Sequence, residues 1–374
     1  MQNYLYILSE VIKMKKENLN ITVGENIKRA LKESRISQEQ ASGKLNISRQ
    51  TLNNYINGAT LIDFEKLLSI ASLTNRSIDF FYKTNQAFGN YKFRSDVPIN
   101  TDLKIKFEER IRKYDELEKI NKISPFQLKI GLYLDKFDRD RIENMAEKTR
   151  CLLDIGVDNS ISNPIYELEK NDIKIIQFPA ENHDISGFSA NNEKLGDCIF
   201  LNSRCTIERR FFTAMHELAH LIFHKDDYRG DLKVENERVK EDIANEFAGL
   251  LLVPSKSLKE FIANNFIEKI SFDDVINLKK YFNVSAKCII RSLSRDGIID
   301  KKEHEQLNKK VDEKVDPYNE PDPIGQDRNI ENHRFNNLVK KAFLDREITV
   351  SKIAELLEIP VIDANKKALG WSNN

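Results

Sequence analysis

The chain has 374 residues, 32% charged and 40% hydrophobic, with 59 basic and 59 acidic side chains and so no formal net charge. Such a balance argues against a chain that coats nucleic acid or an anionic membrane as a whole, and any basic patch must be local. No apolar run reaches the roughly 18 residues needed to cross a bilayer, and the four scattered cysteines argue against a disulfide framework or a cysteine zinc site, which fits a reducing cytoplasm. Residues 1–20 place Tyr4, Leu5, Ile7, Leu8, Val11 and Ile12 ahead of the basic residues, the reverse of a secretory signal, and predict a short leader helix. Residues 21–85 predict a compact all-α unit. Its first helix turns Ile27, Ala30 and Leu31 inward, and a capping box over Ser37 to Gln40 opens the second. Ser48 caps a third that ends at Asn57-Gly58, and two more follow over Phe64–Ala71 and Ile78–Tyr82. Two short helices joined by a tight turn at Asn46-Ile47 form a helix-turn-helix pattern.

That segment resembles the XRE (phage-repressor-like) DNA-binding family, with Gln38 opening helix two and Ile47-Ser48 ahead of helix three. The resemblance implies that early residues of the third helix face the major groove of double-stranded DNA. Arg49, Gln50, Asn53 and Asn54 are then candidates for base edges. Gln38 and Thr51 would meet phosphate or neighbouring backbone, with Ser48 beside them at the cap. Residues 21–83 hold nine basic and six acidic side chains, a surplus of three and a modest electrostatic footprint. A helical module that docks proteins is the alternative.

Residues 86–139 read as a mostly helical connector, turn-like over Phe88 to Pro98. Its charged helix Thr101–Ile120 carries Ile105, Ile111, Tyr114 and Leu117 and is expected to link domains or to pair two copies in a homodimer. Residues 140–265 follow as the chemical domain. Ile173–Phe178, Ile185–Ser189 and Cys198–Asn202 are β-branched or aromatic, bounded by Asn and Gly, and predict short strands. An exposed edge there could bind an extended peptide by main-chain pairing, with Gly187 and Cys198–Asn202 as candidates and plain sheet closure as the alternative.

His216-Glu217-Leu218-Ala219-His220 lies inside the apolar run Phe211–Phe223. On a helix the two imidazoles share a face, so both can reach one cation with Glu217 beside it as base for a water. A catalytic zinc usually takes a third protein ligand. Downstream, Glu241, Ala244, Asn245 and Ala248 fall on one helical stripe, where two alanines permit close approach. Glu241 could reach the metal and Asn245 could orient a ligand; a solvent-facing carboxylate is the alternative for Glu241. His224 continues the four-residue series but stands about 12 Å of rise from His216, which suits a cleft position or a bond to a neighbouring group better than the same ion.

Arg210 to His220, followed by Glu241-x-x-Ala244-Asn245-x-Phe247-Ala248 and Leu250 to Pro254, resembles the ImmA/IrrE family of bacterial metallopeptidases. The resemblance implies a zincin-like fold, with His216, His220 and Glu241 as metal ligands and Glu217 as base. It also implies an intracellular zinc endopeptidase that cleaves helix-turn-helix repressors and so controls stress, mobile-element or phage genes. Ligand type alone leaves Mn²⁺ or another divalent ion open. A DNA-binding regulator or antitoxin-like protein whose metal site is a sensor or relic is the other reading.

Residues 266–300 predict a helical, helix-turn-helix-like subdomain, residues 301–330 a charged linker with Pro317, Pro321 and Pro323, and residues 331–374 a last helical unit. One phrase recurs between helical patterns: Leu45-Asn46-Ile47-Ser48, Phe282-Asn283-Val284-Ser285 and Leu357-Glu358-Ile359-Pro360. Protein docking or a structural role suits the later two better than DNA reading. The expected whole is α+β and mostly helical, with the small sheet confined to the central domain.

Overall fold

Apolar residues recur at three- and four-residue spacing through most of the chain, and most of it is accordingly helical. The computed structural model describes residues 19–32, 34, 36–76, 78–82, 92–94, 99, 101–180, 185–192, 195–225, 237–313, 320–324 and 332–372. The leader expected over residues 1–20 therefore lies almost wholly outside the described residues, as do parts of the segments expected as turn (88–98) and linker (301–330). Contacts divide the chain into two units, residues 1–90 and 91–374.

In the first unit, α1 (19–32), α2 (Gln38–Lys44), α3 (Arg49–Ile56), α4 (Phe64–Thr74) and α5 (Ile78–Tyr82) surround a core that includes Ile27, Leu31, Leu52, Leu67, Ile70 and Phe81. The buried Asn26 amide donates to the carbonyl of Phe81 at 3.0 Å and ties the first helix to the last. Ser37 and Gln40 form the reciprocal capping box of α2, and Ser48 caps α3 by accepting from Thr51 N. Between them Asn46 adopts φ 53°, the left-handed conformation that lets α3 leave at a sharp angle.

The second unit holds β1 (Lys92–Arg94), α6 (Thr101–Ile120), α7 (Arg139–Leu152), α8 (Pro164–Lys170), β2 (Lys174–Phe178), β3 (Gly187–Asn192) and β4 (Gly196–Asn202). There follow α9 (Ile207–Phe223), α10 (Glu237–Leu252), α11 (Ser255–Asn264), α12 (Phe272–Phe282), α13 (Ala286–Arg295) and α14 (Lys301–Asp312), then α15 (His333–Leu344), α16 (Val350–Leu357) and α17 (Val361–Ser372). The four strands run in the order β1-β3-β4-β2, with β2 and β4 parallel and the other pairs antiparallel. α9 is buried along nearly its whole length, packed on β3 and β4 from one side and on α10 from another. Ala244 and Ala248 of α10 are fully buried, as close helix packing demands.

Three expectations are corrected. Gly187 and Cys198–Asn202 do not form an edge: β4 lies between β3 and β2, and β3 between β1 and β4. The turn-like stretch contains a strand, because Lys92–Arg94 pairs with Ser189–Asn191. The linker is a helix over Lys301–Asp312, capped by Asp300 and Glu303, whose Leu307 and Val311 bury one stripe in the main core while the charges face outward. The connector helix α6 packs within the second unit: Leu103, Phe107, Ile111, Tyr114 and Leu117 are all buried, and the helix contacts α15 and β2.

Buried charges fasten these last elements. Glu118 of α6 meets Lys174 of β2 at 2.7 Å and Arg334 of α15 at 3.0 Å. Asn332 accepts from the backbone N–H of Gln177 at 3.1 Å, which satisfies an outward-facing group of edge strand β2.

Candidate metal centre and nucleic-acid interface

α9 starts at Thr206, which caps Arg209 N, and carries His216, Glu217 and His220 on consecutive turns of its buried length. α10 brings Glu241 and, one turn on, Asn245. Among the described residues, one group of three His, Cys, Asp or Glu side chains could hold a cation: His216, His220 and Glu241. The two Nε2 atoms are 3.0 Å apart, and the Glu241 oxygens lie 3.2 Å from His216 Nε2 and 3.4 Å from His220 Nε2. Metal–ligand bonds of about 2.0–2.1 Å at a tetrahedral angle place two donor atoms about 3.3 Å apart. The three donors therefore have the spacing and chemistry of a divalent-metal site with room for a further ligand. Glu241 is 22% exposed and His220 only 2%, so the centre opens on the Glu241 side.

Neighbouring groups hold the ring orientations. His216 Nδ1 is 3.2 Å from Asn245 Oδ1, and His220 Nδ1 is 2.9 Å from His224 Nδ1. Glu217 is buried, and its Oε2 accepts from Ser189 Oγ at 2.6 Å. Sequence spacing missed Ser189. The one available signal is a hydroxyl in a buried strand between Phe188 and Ala190, because such a group needs a partner. Gly187, two residues earlier on the same strand face, sits where a Cβ would lie 2.5 Å from Thr213 Cγ2 and 2.6 Å from the Phe200 carbonyl oxygen. Strand β3 thus presses against α9 just one turn before Glu217. Cys205 is buried, and burial pushes its thiol pKa up, away from the thiolate reactivity that an oxidant sensor needs.

On the first unit, α3 turns Leu52 and Ile56 inward, so Arg49 and Gln50 are exposed and Asn53 and Asn54 half-exposed on the outer side. Gln50 Nε2 donates to Asn54 Oδ1 at 3.3 Å, which aligns the two amides. Ser48 and Thr51 hydroxyls are 2.8 Å apart, so both serve the N-cap, and Gln38 is half-buried at the start of α2.

Residues 168–294 match the peptidase family described as the IrrE N-terminal-like domain, and residues 27–81 match the helix-turn-helix family. The first match spans β2 to α13 and contains the whole candidate metal centre; the second contains α2, α3 and the turn between them. No curated protein matches the chain. Among solved structures, the apo form of ComR from S. thermophilus aligns with 95% of this chain and 94% of its own at 13% identity, with a TM-score of 0.17, too low to inform the fold.

Proposed function

Because the chain carries an IrrE N-terminal-like peptidase domain behind a helix-turn-helix domain, we propose that it is a cytoplasmic metal-dependent endopeptidase of transcriptional control. Its substrate would be a repressor-type, helix-turn-helix protein, and its first unit would bind double-stranded DNA. The observation that carries this reading is the convergence of His216, His220 and Glu241, next to which the chain carries Glu217, a buried carboxylate held by Ser189. Two imidazoles, one carboxylate and room for water match catalytic zinc chemistry, and Mn²⁺ would also suit the set. A divalent ion held there supplies the polarisation of a peptide carbonyl and lowers the pKa of a water toward about 7.

Glu217 would serve as general base and then general acid, taking a proton from the attacking water and delivering it to the leaving amine. Ser189 Oγ donates to Oε2 of Glu217 at 2.6 Å and so helps to fix the orientation of that carboxylate. Asn245 orients the ring of His216 through Nδ1. In DNA binding, Arg49, Gln50, Asn53 and Asn54 would read base edges, while Gln38, Ser48 and Thr51 would contact phosphate or brace the helix ends. No helix among the described residues is long and apolar enough to cross a membrane.

The test uses wild type and Glu217→Gln, each loaded with Zn²⁺ or Mn²⁺ and incubated with a set of helix-turn-helix repressors that includes any encoded beside this gene. Wild type should cleave at least one of them, and Glu217→Gln should keep its metal and lose cleavage. Equal cleavage by both would reject the role of Glu217. Metal uptake without any cleavage, with DNA binding retained, would favour a regulator with a sensing metal site.

A further inference from the structure

His224 is the member of the histidine series to which the proposed chemistry gives no task. It follows the last turn of α9 as the C-cap, with φ −122° and ψ 31°, while its backbone N–H still donates to the carbonyl of His220 at 3.0 Å. Departure from helical dihedrals at that point lets its ring turn back over the preceding turn. The rings of His220 and His224 have centroids 5.1 Å apart, and their Nδ1 atoms stand 2.9 Å apart in a region where both residues are buried. The opposite nitrogen of His220, Nε2, faces His216 and Glu241.

A neutral imidazole has one donor and one acceptor nitrogen. If Nε2 of His220 gives its lone pair to a cation, its proton is on Nδ1, and that N–H points at His224. The atom it meets must then be an acceptor. We propose that His224 is a positioning residue, the hydrogen-bond acceptor that fixes the ring of His220 for metal binding, with its own proton carried on Nε2. The proposal rests on the metal-site reading above and extends it to the tautomers of both rings. With Nδ1 accepting from His220 and the proton on Nε2, His224 acts through His220 and is not itself a ligand. The two ligating rings are then held in different ways: Asn245 supplies an amide oxygen from α10, and His224 supplies a ring nitrogen from the end of α9. Partners of this kind typically alter metal affinity by about 10–100-fold when removed.

The test is Zn²⁺ titration of the full chain against a chromogenic chelator, for wild type, His224→Phe and His224→Gln. Phenylalanine keeps a ring in the buried space but has no acceptor; glutamine offers an amide oxygen. The expected result is affinity about 10–100-fold weaker in His224→Phe and partly restored in His224→Gln. A second readout needs no variant: nitrogen NMR of the Zn²⁺-loaded wild type should show His224 unprotonated at Nδ1 and protonated at Nε2. Wild-type affinity in a folded His224→Phe, or a proton on Nδ1 of His224, overturns the proposal. If His224→Phe does not fold, the nitrogen signature decides. A wild-type chain that takes up no divalent ion overturns the metal reading and this assignment together, whereas metal uptake equal in wild type and variant overturns this assignment alone.

Discussion

Gly187 and Ser189 share one face of β3, and Thr213 and Glu217 share one face of α9, so strand and helix meet at two matched points. The first is a steric contact and the second a hydrogen bond, and each sets the register of the other. In Gly187→Ala the new methyl would meet a backbone carbonyl that cannot rotate away. Overpacking of this kind costs about 1–3 kcal/mol, so the urea midpoint of this variant should fall while its slope is kept. An unchanged midpoint would show that β3 can shift freely against α9. The same pair marks the boundary of what spacing reveals. His216 and His220 were legible because a helix maps four residues onto one face, and Glu241 because Ala244 and Ala248 signalled a close helix contact. Ser189 lies 28 positions before Glu217 on a strand, and no periodicity relates a strand residue to a helix that crosses it.

At the scale of elements, the recurring four-residue phrase is one turn used three times. Its second residue is left-handed in each case: Asn46 at φ 53°, Asn283 at φ 55° and Glu358 at φ 56°. Asparagine tolerates this conformation, whereas other side chains pay about 1–2 kcal/mol. Asn283→Ala should therefore destabilise the chain by about 1 kcal/mol, read as a lowered melting temperature; no change would mean that the turn relaxes at no cost. Glu358 keeps the strained conformation while pairing with Arg110 and with Lys113 of α6. The phrase was legible, but the packing of α14 was not, because its many charges hid the apolar stripe of Leu307 and Val311.

Another element-scale feature is Glu169 of α8, which accepts from the backbone N–H groups of His333 and Arg334 at the start of α15. Burial raises its pKa to about 8, against the lowering effect of those donors and of the Arg334 charge. An unfolded glutamate titrates near about 4.3, so between that pH and about 8 the folded chain holds a proton that the unfolded chain has released. This group's contribution to stability is thus complete below the unfolded pKa and is lost as pH rises through the folded one. Glu169→Gln stays neutral at every pH, so its stability relative to wild type should rise between about pH 4.3 and about pH 8 and level off above that, measured by urea unfolding. A difference independent of pH would show that Glu169 titrates alike in both states.

For the whole molecule, the two units have separate hydrophobic cores, and the two candidate functions divide the same way. The candidate metal centre lies in residues 91–374 and the helix-turn-helix in residues 1–90. A ligand that binds only the folded state stabilises the domain that holds it, by about 4 kcal/mol at a thousandfold excess over its dissociation constant. Removal of metal with a chelator should then lower the unfolding temperature of the larger unit and leave that of the smaller one unchanged. DNA affinity, measured on a duplex selected by the full chain from a random pool, should survive the same treatment. Arg49→Ala should weaken that binding by about 1–3 kcal/mol if the guanidinium reads a base, with specificity relaxed at one position. A phosphate contact would instead weaken all duplexes alike and flatten the salt dependence. Loss of DNA binding on chelation would mean that the two units are energetically coupled, and the metal would then act as an effector of the DNA-binding unit as well as the centre of the proposed hydrolysis.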